Sequence, residues 1–479
     1  MSKIRQIYLL DPQQLPPETI AVTFAKTSRS PETFKDIAAE LSVEKSAEFH
    51  EKWVVGYGHS SVAEHAVLHI AIENLSRLAV ECLESNRLAS YTEKSTRYQK
   101  WEADNFYIPS EFPSQKVGRA YLDINRLLFQ TYQESLPVVQ KEIARQFPRK
   151  ENESEGAWER RIRPMYVDVC RFFLPASALA NVGMTINARA LEHAIRKMLS
   201  HPLKEVQSIG EEIKKVSKEN VPTLVKYANE VPYWVETARS FELELQKIKF
   251  PIRHDDWCQI IFHDADAEKR ILAGLLYRYS NADYQSTLEY IQNCSPEETQ
   301  RLIQMSLQGI QKFDIPPREL EYAGFTFDLI MDQGAFFEIK RHRMMTQTAQ
   351  SLTTDLGYAV PKCICEAGFE KTFHSTMEKA DKAYRYLAEF APELASYVVP
   401  NAFNRRILLH ANLRSLDHMI ALRSAPNAHF SVRRVVHRMA EEIGKVSPLA
   451  KQWIREDQGE SWQEVEENYF CGTMQMPAH

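Results

Sequence analysis

Glycine is scarce in this chain, with 15 in 479 residues. So few left-handed or hairpin positions argue for long helices over a loop-rich β fold. No excess of basic charge exists either. Lysine and arginine number 59 against 64 acidic residues, a net charge of −5, which speaks against a general nucleic-acid coat but not against local pockets for a small anion. No run of about 18 uncharged apolar residues occurs, so no membrane span is expected. The start, Met1 to Pro12, has no long apolar stretch or small-residue cleavage site and does not read as a signal peptide. The seven cysteines, odd in number and scattered, suit a reducing cytoplasm. Cys363 and Cys365 form a lone Cys-x-Cys with no second pair at zinc spacing, so no metal is expected and they read as ordinary thiols.

What is present is ordinary for a globular protein: 44% hydrophobic and 26% charged residues. At roughly 100–200 residues per domain, the length implies two to four domains. The organising feature is a repeat. Ser85–Tyr98 returns in varied form at Arg341–Thr354. In each copy a basic residue is followed three positions later by a hydroxyl (Arg87 to Ser90, Arg343 to Thr346), and a second hydroxyl comes five positions on (Ser95, Ser351). Upstream, the stretches after Glu64 and Glu321 are rich in β-branched and aromatic residues and predict a strand in each copy. Downstream, Arg171 to Pro175 and then Asn187, Arg189 and His193 are answered by Ser396 to Pro400 and then Asn412, Arg414 and His418. The proline-to-asparagine spacing is 12 in both. Residues 4–41 and 258–292 each read as a short strand, a turn and a helix.

The spacing of Val117, Tyr121, Ile124, Leu127 and Leu128 predicts one amphipathic helix over 115–147. The charged segment 150–163 reads as a turn between helices. A basic, proline-containing stretch at 247–253 separates the copies. The expected architecture is α+β, two tandem helix-rich domains with a small sheet in each, spanning 1–248 and 249–479.

Glu93-Lys94-Ser95-Thr96-Arg97 packs an acid, two hydroxyls and an arginine into five residues. Such a loop suits a phosphate on Arg97 and Ser95, with Glu93 at a base or sugar hydroxyl. Asn187 and Arg189, near a helix start, suit a ring or a phosphate. Equally, Asn187 reads as an N-cap, Arg189 as a solvated side chain and His193 as packed beside it. Arg341-His342-Arg343 alone reads as a surface triplet. Repetition of the polar ensemble in one order points beyond packing, because duplicated structure alone does not call for matched polar positions.

Together these residues resemble the flavin-dependent thymidylate synthases. That family carries Arg-His-Arg-x-x-Ser-x-x-x-x-Ser-x-Arg-Tyr, an upstream Gly-His-x-Ser-x-x-Glu-His, and a downstream Arg-x-x-Leu-Pro followed by Asn-x-Arg and an arginine eleven after the asparagine. Gly58 to His65 matches the upstream motif; Ser90, Ser95, Arg97 and Tyr98 match the signature. The resemblance covers nearly the whole chain as two copies. It implies FAD, a dUMP substrate, NADPH as reductant and methylenetetrahydrofolate as one-carbon donor, with product dTMP. It implies dUMP contacts at Glu93, Ser95, Thr96, Arg97 and Arg171. It implies FAD contacts at Ser61, Glu64, Arg87, Asn187, Arg189, His193, Arg341, His342, Arg343, Asn412, Arg414 and His418, and an activating arginine at Arg423. The family's sites lie between subunits of a homotetramer, so two of these chains are expected to form a pseudo-tetramer.

Each copy departs from the pattern differently. Copy one has Ser85-Asn86-Arg87 for the basic triplet, Met198 for the late arginine, and Cys82 where the family often has glutamine; Cys82 reads as a packed thiol. Copy two has Ser396 opposite Arg171 and Thr353 opposite Arg97. The losses are complementary, so one composite site from both copies is expected. A non-catalytic flavin- or nucleotide-binding scaffold, or a flavoenzyme modifying C5 of another pyrimidine nucleotide, are the alternatives.

Overall fold

The computed structural model describes residues 6–28, 30–56, 60–95, 97, 99–251 and 256–472. Compactness divides the chain into two units: Met1–Lys94 with Leu179–Pro251, and Ser95–Ala178 with Ile252–His479. The chain crosses for the last time at Pro251, beside the linker expected near residue 250. The grouping is not that of the repeat, because Ser95–Ala178 of copy one belongs to the unit that holds copy two.

The first unit carries β1 (Val67–Ser76), β2 (Ala89–Glu93) and β3 (Leu179–Asn187), antiparallel in the order β1-β3-β2. Alternate residues Val182, Met184 and Ile186 of β3 enter a core with Leu191 and Ile195 of the following helix. The second unit carries β4 (Cys258–His263), β5 (Gly324–Asp332), β6 (Thr346–Ala349) and β7 (Asn404–Asn412), in the order β4-β5-β7-β6. Its core joins Phe325, Phe327, Ile407 and Leu409 to Leu416 and Ile420. Both units are helix-rich around a small sheet, the α+β class the sequence predicts. β1 is one residue longer than β5. It absorbs the extra residue in a bulge between Ile72 and Leu75, where Asn74 takes φ of 58° and its N–H donates to Asn181 Oδ1 at 3.0 Å.

Three expectations need correction. Gln6–Leu10 forms no strand, although its counterpart is β4; Ile7 and Leu9 are almost fully exposed there, so pairing would bury no apolar face. The predicted long helix is present over Gln115–Gln146, but the turn after it is short. Ser154 caps a new helix, Glu155–Cys170, in which Glu155 and Arg160 are exposed while Ile162, Tyr166 and Asp168 are buried. Cys365 is not an ordinary thiol: it is disulfide-bonded to Cys471.

Within the second unit, the segments around Pro175 and Pro400 pair across an internal pseudo-dyad. Ala176 N–H donates to Val399 O (3.0 Å), and its mate Asn401 N–H donates to Leu174 O (3.0 Å). Ser177 N–H donates to Tyr397 O (2.8 Å), mirrored by Ala402 N–H to Phe172 O (3.1 Å). Proline at the centre fits, because neither Pro175 nor Pro400 is asked for an N–H.

Strand register aligns the copies: Val67 opposes Asn187 as Gly324 opposes Asn412, and Ser76 opposes Leu179 as Asp332 opposes Asn404. Several matched pairs exchange their members. His69 Nδ1 meets Thr185 Oγ1 at 2.9 Å, whereas Thr326 Oγ1 meets His410 Nδ1 at 2.9 Å. Ser76 caps one buried helix and donates to Glu205 (2.6 Å); Asp332 caps its counterpart and accepts from Ser431. Each copy thus keeps one hydroxyl and one carboxylate at the same buried junction. Ser76→Ala removes the cap and the hydroxyl donor of buried Glu205. Its urea midpoint should correspond to a loss of about 1–3 kcal/mol; an unchanged midpoint would contradict this pairing.

Candidate functional site

The second unit gathers three of the sequence-predicted arginines. Pairing at Pro175/Pro400 fixes the short 3-10 turn Arg171–Phe173, and with it Arg171. Arg171 is buried; its Nη2 donates to Glu338 Oε1 at 3.4 Å and reaches Gly334 O at 3.5 Å. Glu338 lies in the last turn of Gln333–Ile339, a helix buried along its whole length and started by the Asp332 cap. Its other oxygen, Oε2, accepts from Arg423 Nη1 at 3.1 Å. One buried carboxylate therefore joins an arginine of copy one to an arginine of copy two. Arg97 makes a bidentate pair with Asp168: Nε reaches both oxygens at 3.0 Å and Nη2 reaches Oδ2 at 2.8 Å. Its Nη1 donates to Asn427 O at 3.0 Å.

Electrostatics follow from burial. Arg423 Nε donates to His342 Nε2 at 3.0 Å, so that nitrogen carries no proton. Burial, then the charges of Arg423, His418 and Arg341, lower the His342 pKa to about 3. Burial lowers the Arg423 pKa, opposed by Glu338. His429 is wholly buried, with Nε2 at 3.2 Å from Asp168 O, and burial followed by Arg171 and Arg97 holds it well below the usual range. Burial raises Asp168, opposed by Arg171 and Arg97.

The remaining predicted residues sit as follows. Ser95 Oγ accepts from Arg97 N at 3.2 Å, and Thr96 lies outside the described residues, as do Gly58, His59 and Tyr98. Glu93 does not face outward: it ends β2 and forms a buried ion pair with Arg77. Asn187 and Asn412 are both N-caps, accepting from Ala190 and Ser415 N–H at 2.9 Å. Arg189 pairs with Glu64, and Arg414 pairs with Glu321 at 2.7 Å, so this ion pair recurs in both copies. Ser61 and Arg87 are exposed, and the His193 ring meets Trp234 edge-on at 5.7 Å. Arg341 is exposed, Arg343 half-buried, and the exposed His418 ring lies 5.8 Å from that of His342. These three have the charge and ring chemistry for a dinucleotide such as FAD. Asn412 and Arg414 are engaged in holding their helix start.

In the first unit, Met198 and Cys82, the counterparts of Arg423 and Glu338, are both core residues, and burial pushes the Cys82 thiol up to about 11. Both members of the charged pair are replaced by apolar groups. Sequence reasoning missed Glu338, Asp168 and His429. The usable signal was position: each acid stands three residues before a basic residue already singled out, Arg341 and Arg171.

A family model described as thymidylate synthase complementing protein matches residues 10–223 and again 259–449. A UPF0159 protein of Chlamydia muridarum is 32% identical over 433 residues, covering 87% of this chain and 82% of the relative. A protein named flavin-dependent thymidylate synthase from Clostridium tetani is 27% identical over 215 residues, covering 44% of this chain and 82% of its own. Among solved structures, thymidylate synthase X of Helicobacter pylori, with FAD and dUMP, gives 19% identity and a TM-score of 0.32, covering 44% of this chain and 94% of that one.

The buried neutral His342 carries a pH signature. As pH falls from about 6.5 toward about 3, the unfolded chain takes up a proton that folded His342 refuses, so stability is lost across that window. His342→Gln keeps an acceptor for Arg423 without titrating. Its thermal midpoint should fall less steeply than wild type between about pH 7 and 5; parallel slopes would contradict a neutral His342.

Proposed function

The chain belongs to the thymidylate synthase complementing protein family, and from that premise we propose that it is a flavin-dependent thymidylate synthase working through one composite site per chain. The reading is reductive methylation of dUMP to dTMP, with methylenetetrahydrofolate as carbon donor and NADPH as reductant. The observation that carries it is the convergence of Arg97, Arg171 and Arg423, from both repeats, on two buried carboxylates in one unit. FAD, when bound, supplies the electrons that reduce the transferred carbon unit. Arg341, Arg343 and His418 would hold it.

The chain's own residues have three tasks. Arg97 and Arg171 bring positive charge to the nucleotide phosphate. Arg423 stabilises negative charge developing on the pyrimidine ring, and it does so more strongly because it is largely buried. His342 stays neutral and accepts the Arg423 Nε–H, which orients the guanidinium without adding a competing cation. Both repeats of one chain supply arginines to this site, and two chains are expected to assemble.

Arg423→Ala should keep flavin, since its proposed holders are elsewhere, and lose dUMP-dependent NADPH oxidation by at least about 100-fold. Retention of full activity would contradict the role of Arg423. Arg171→Ala should raise the dUMP concentration needed to shift the flavin spectrum by about tenfold or more; an unshifted titration would remove Arg171 from the phosphate site.

A further inference from the structure

Glu338 has no catalytic or ligand-holding task in the functional reading above, yet it is the centre of the charged cluster. Its side chain is 6% exposed, and its two oxygens are divided between Arg171 and Arg423. The two contacts are unequal. Arg423 Nη1 lies at 3.1 Å, whereas Arg171 Nη2 lies at 3.4 Å, the long end of the hydrogen-bond range. Arg171 is also the arginine that the functional reading gives to the phosphate, so a competing anion meets Glu338 there. Charge points the same way: a phosphate monoester carries about −1.5 to −2 at neutral pH, and an ionised Glu338 held on the same arginines opposes it. The repeat supplies a control. Where copy two has Glu338 and Arg423, copy one has the core residues Cys82 and Met198; where copy one has Arg171, copy two has Ser396. The carboxylate occurs in the copy that also keeps the late arginine, and not in the copy that has lost it.

We propose that Glu338 is a built-in counter-anion, occupying Arg171 and Arg423 until a phosphate monoester displaces it from Arg171, and that its charge sets how tightly phosphate-bearing ligands are held. This rests on the nucleotide reading of the same site for the identity of the ligand, but not for its phosphate. Displacement leaves both carboxylate oxygens to Arg423, so phosphate binding at one arginine tightens the environment of the other.

The test is calorimetric titration of full-length wild type, Glu338→Gln and Glu338→Asp with dUMP, deoxyuridine and inorganic phosphate. Removing the charge should tighten dUMP and inorganic phosphate roughly tenfold, while deoxyuridine changes by less than about twofold. The aspartate, one methylene shorter, should tighten phosphate by a few-fold, and it decides the matter if the glutamine variant does not fold. Phosphate binding that is unchanged or weaker in both variants overturns the proposal, as does phosphate binding to neither variant nor wild type. If inorganic phosphate follows the expected pattern and dUMP binds to none of the three, the counter-anion stands and the thymidylate synthase reading falls. If dUMP binds wild type and the glutamine variant binds it no tighter, the reverse holds.

Discussion

Four backbone hydrogen bonds around Pro175 and Pro400 are the constraint on which the site depends. They bind a segment of copy one to its own counterpart in copy two, so that each segment serves as the other's partner. Arg171 begins four residues before the central proline and is thereby fixed in the unit that carries Glu338 and Arg423. Without this pairing, the two arginines would belong to different parts of a tandem repeat. With it, a fold that resembles a subunit assembly builds its charged cluster inside one chain.

Duplication explains both what is kept and what is exchanged. The Glu64–Arg189 and Glu321–Arg414 ion pairs are kept in kind and place. The His–Thr and Ser/Asp–Glu/Ser junctions keep their chemistry but swap partners between elements. Such swaps are neutral only if both members change, because a buried carboxylate without its hydroxyl, or two carboxylates together, would cost several kcal/mol on the order of a lost charged hydrogen bond. The Cys82 and Met198 positions follow the same logic. A lone arginine or a lone acid left in that core would be a buried, unpaired charge, so both became apolar.

Much of this was legible in the sequence. The 12-residue spacing from Pro175 to Asn187 and from Pro400 to Asn412 disclosed the repeat, and the strands after Glu64 and Glu321 lie where β-branched and aromatic residues place them. Asn187 is a cap, as one of its two readings had it, and Asn412 caps the matching helix of copy two. Other features were not legible, for physical reasons. The Glu93 ion pair was hidden because its partner, Arg77, is brought to it only by the sheet. Glu338 was hidden because its counterpart is a cysteine, so the repeat gave it no emphasis. The assignment of Ser95–Ala178 to the second unit depends on tertiary backbone pairing, which leaves no local trace in composition or periodicity.

The central claim is that the complementary losses leave one charged site per chain. Counting dUMP bound at saturation to flavin-loaded protein, by equilibrium dialysis against a known chain concentration, tests it most directly. The account predicts one nucleotide per chain. Two equivalent nucleotides per chain would contradict it, because copy one has Met198 where copy two has Arg423, and copy two has Ser396 where copy one has Arg171.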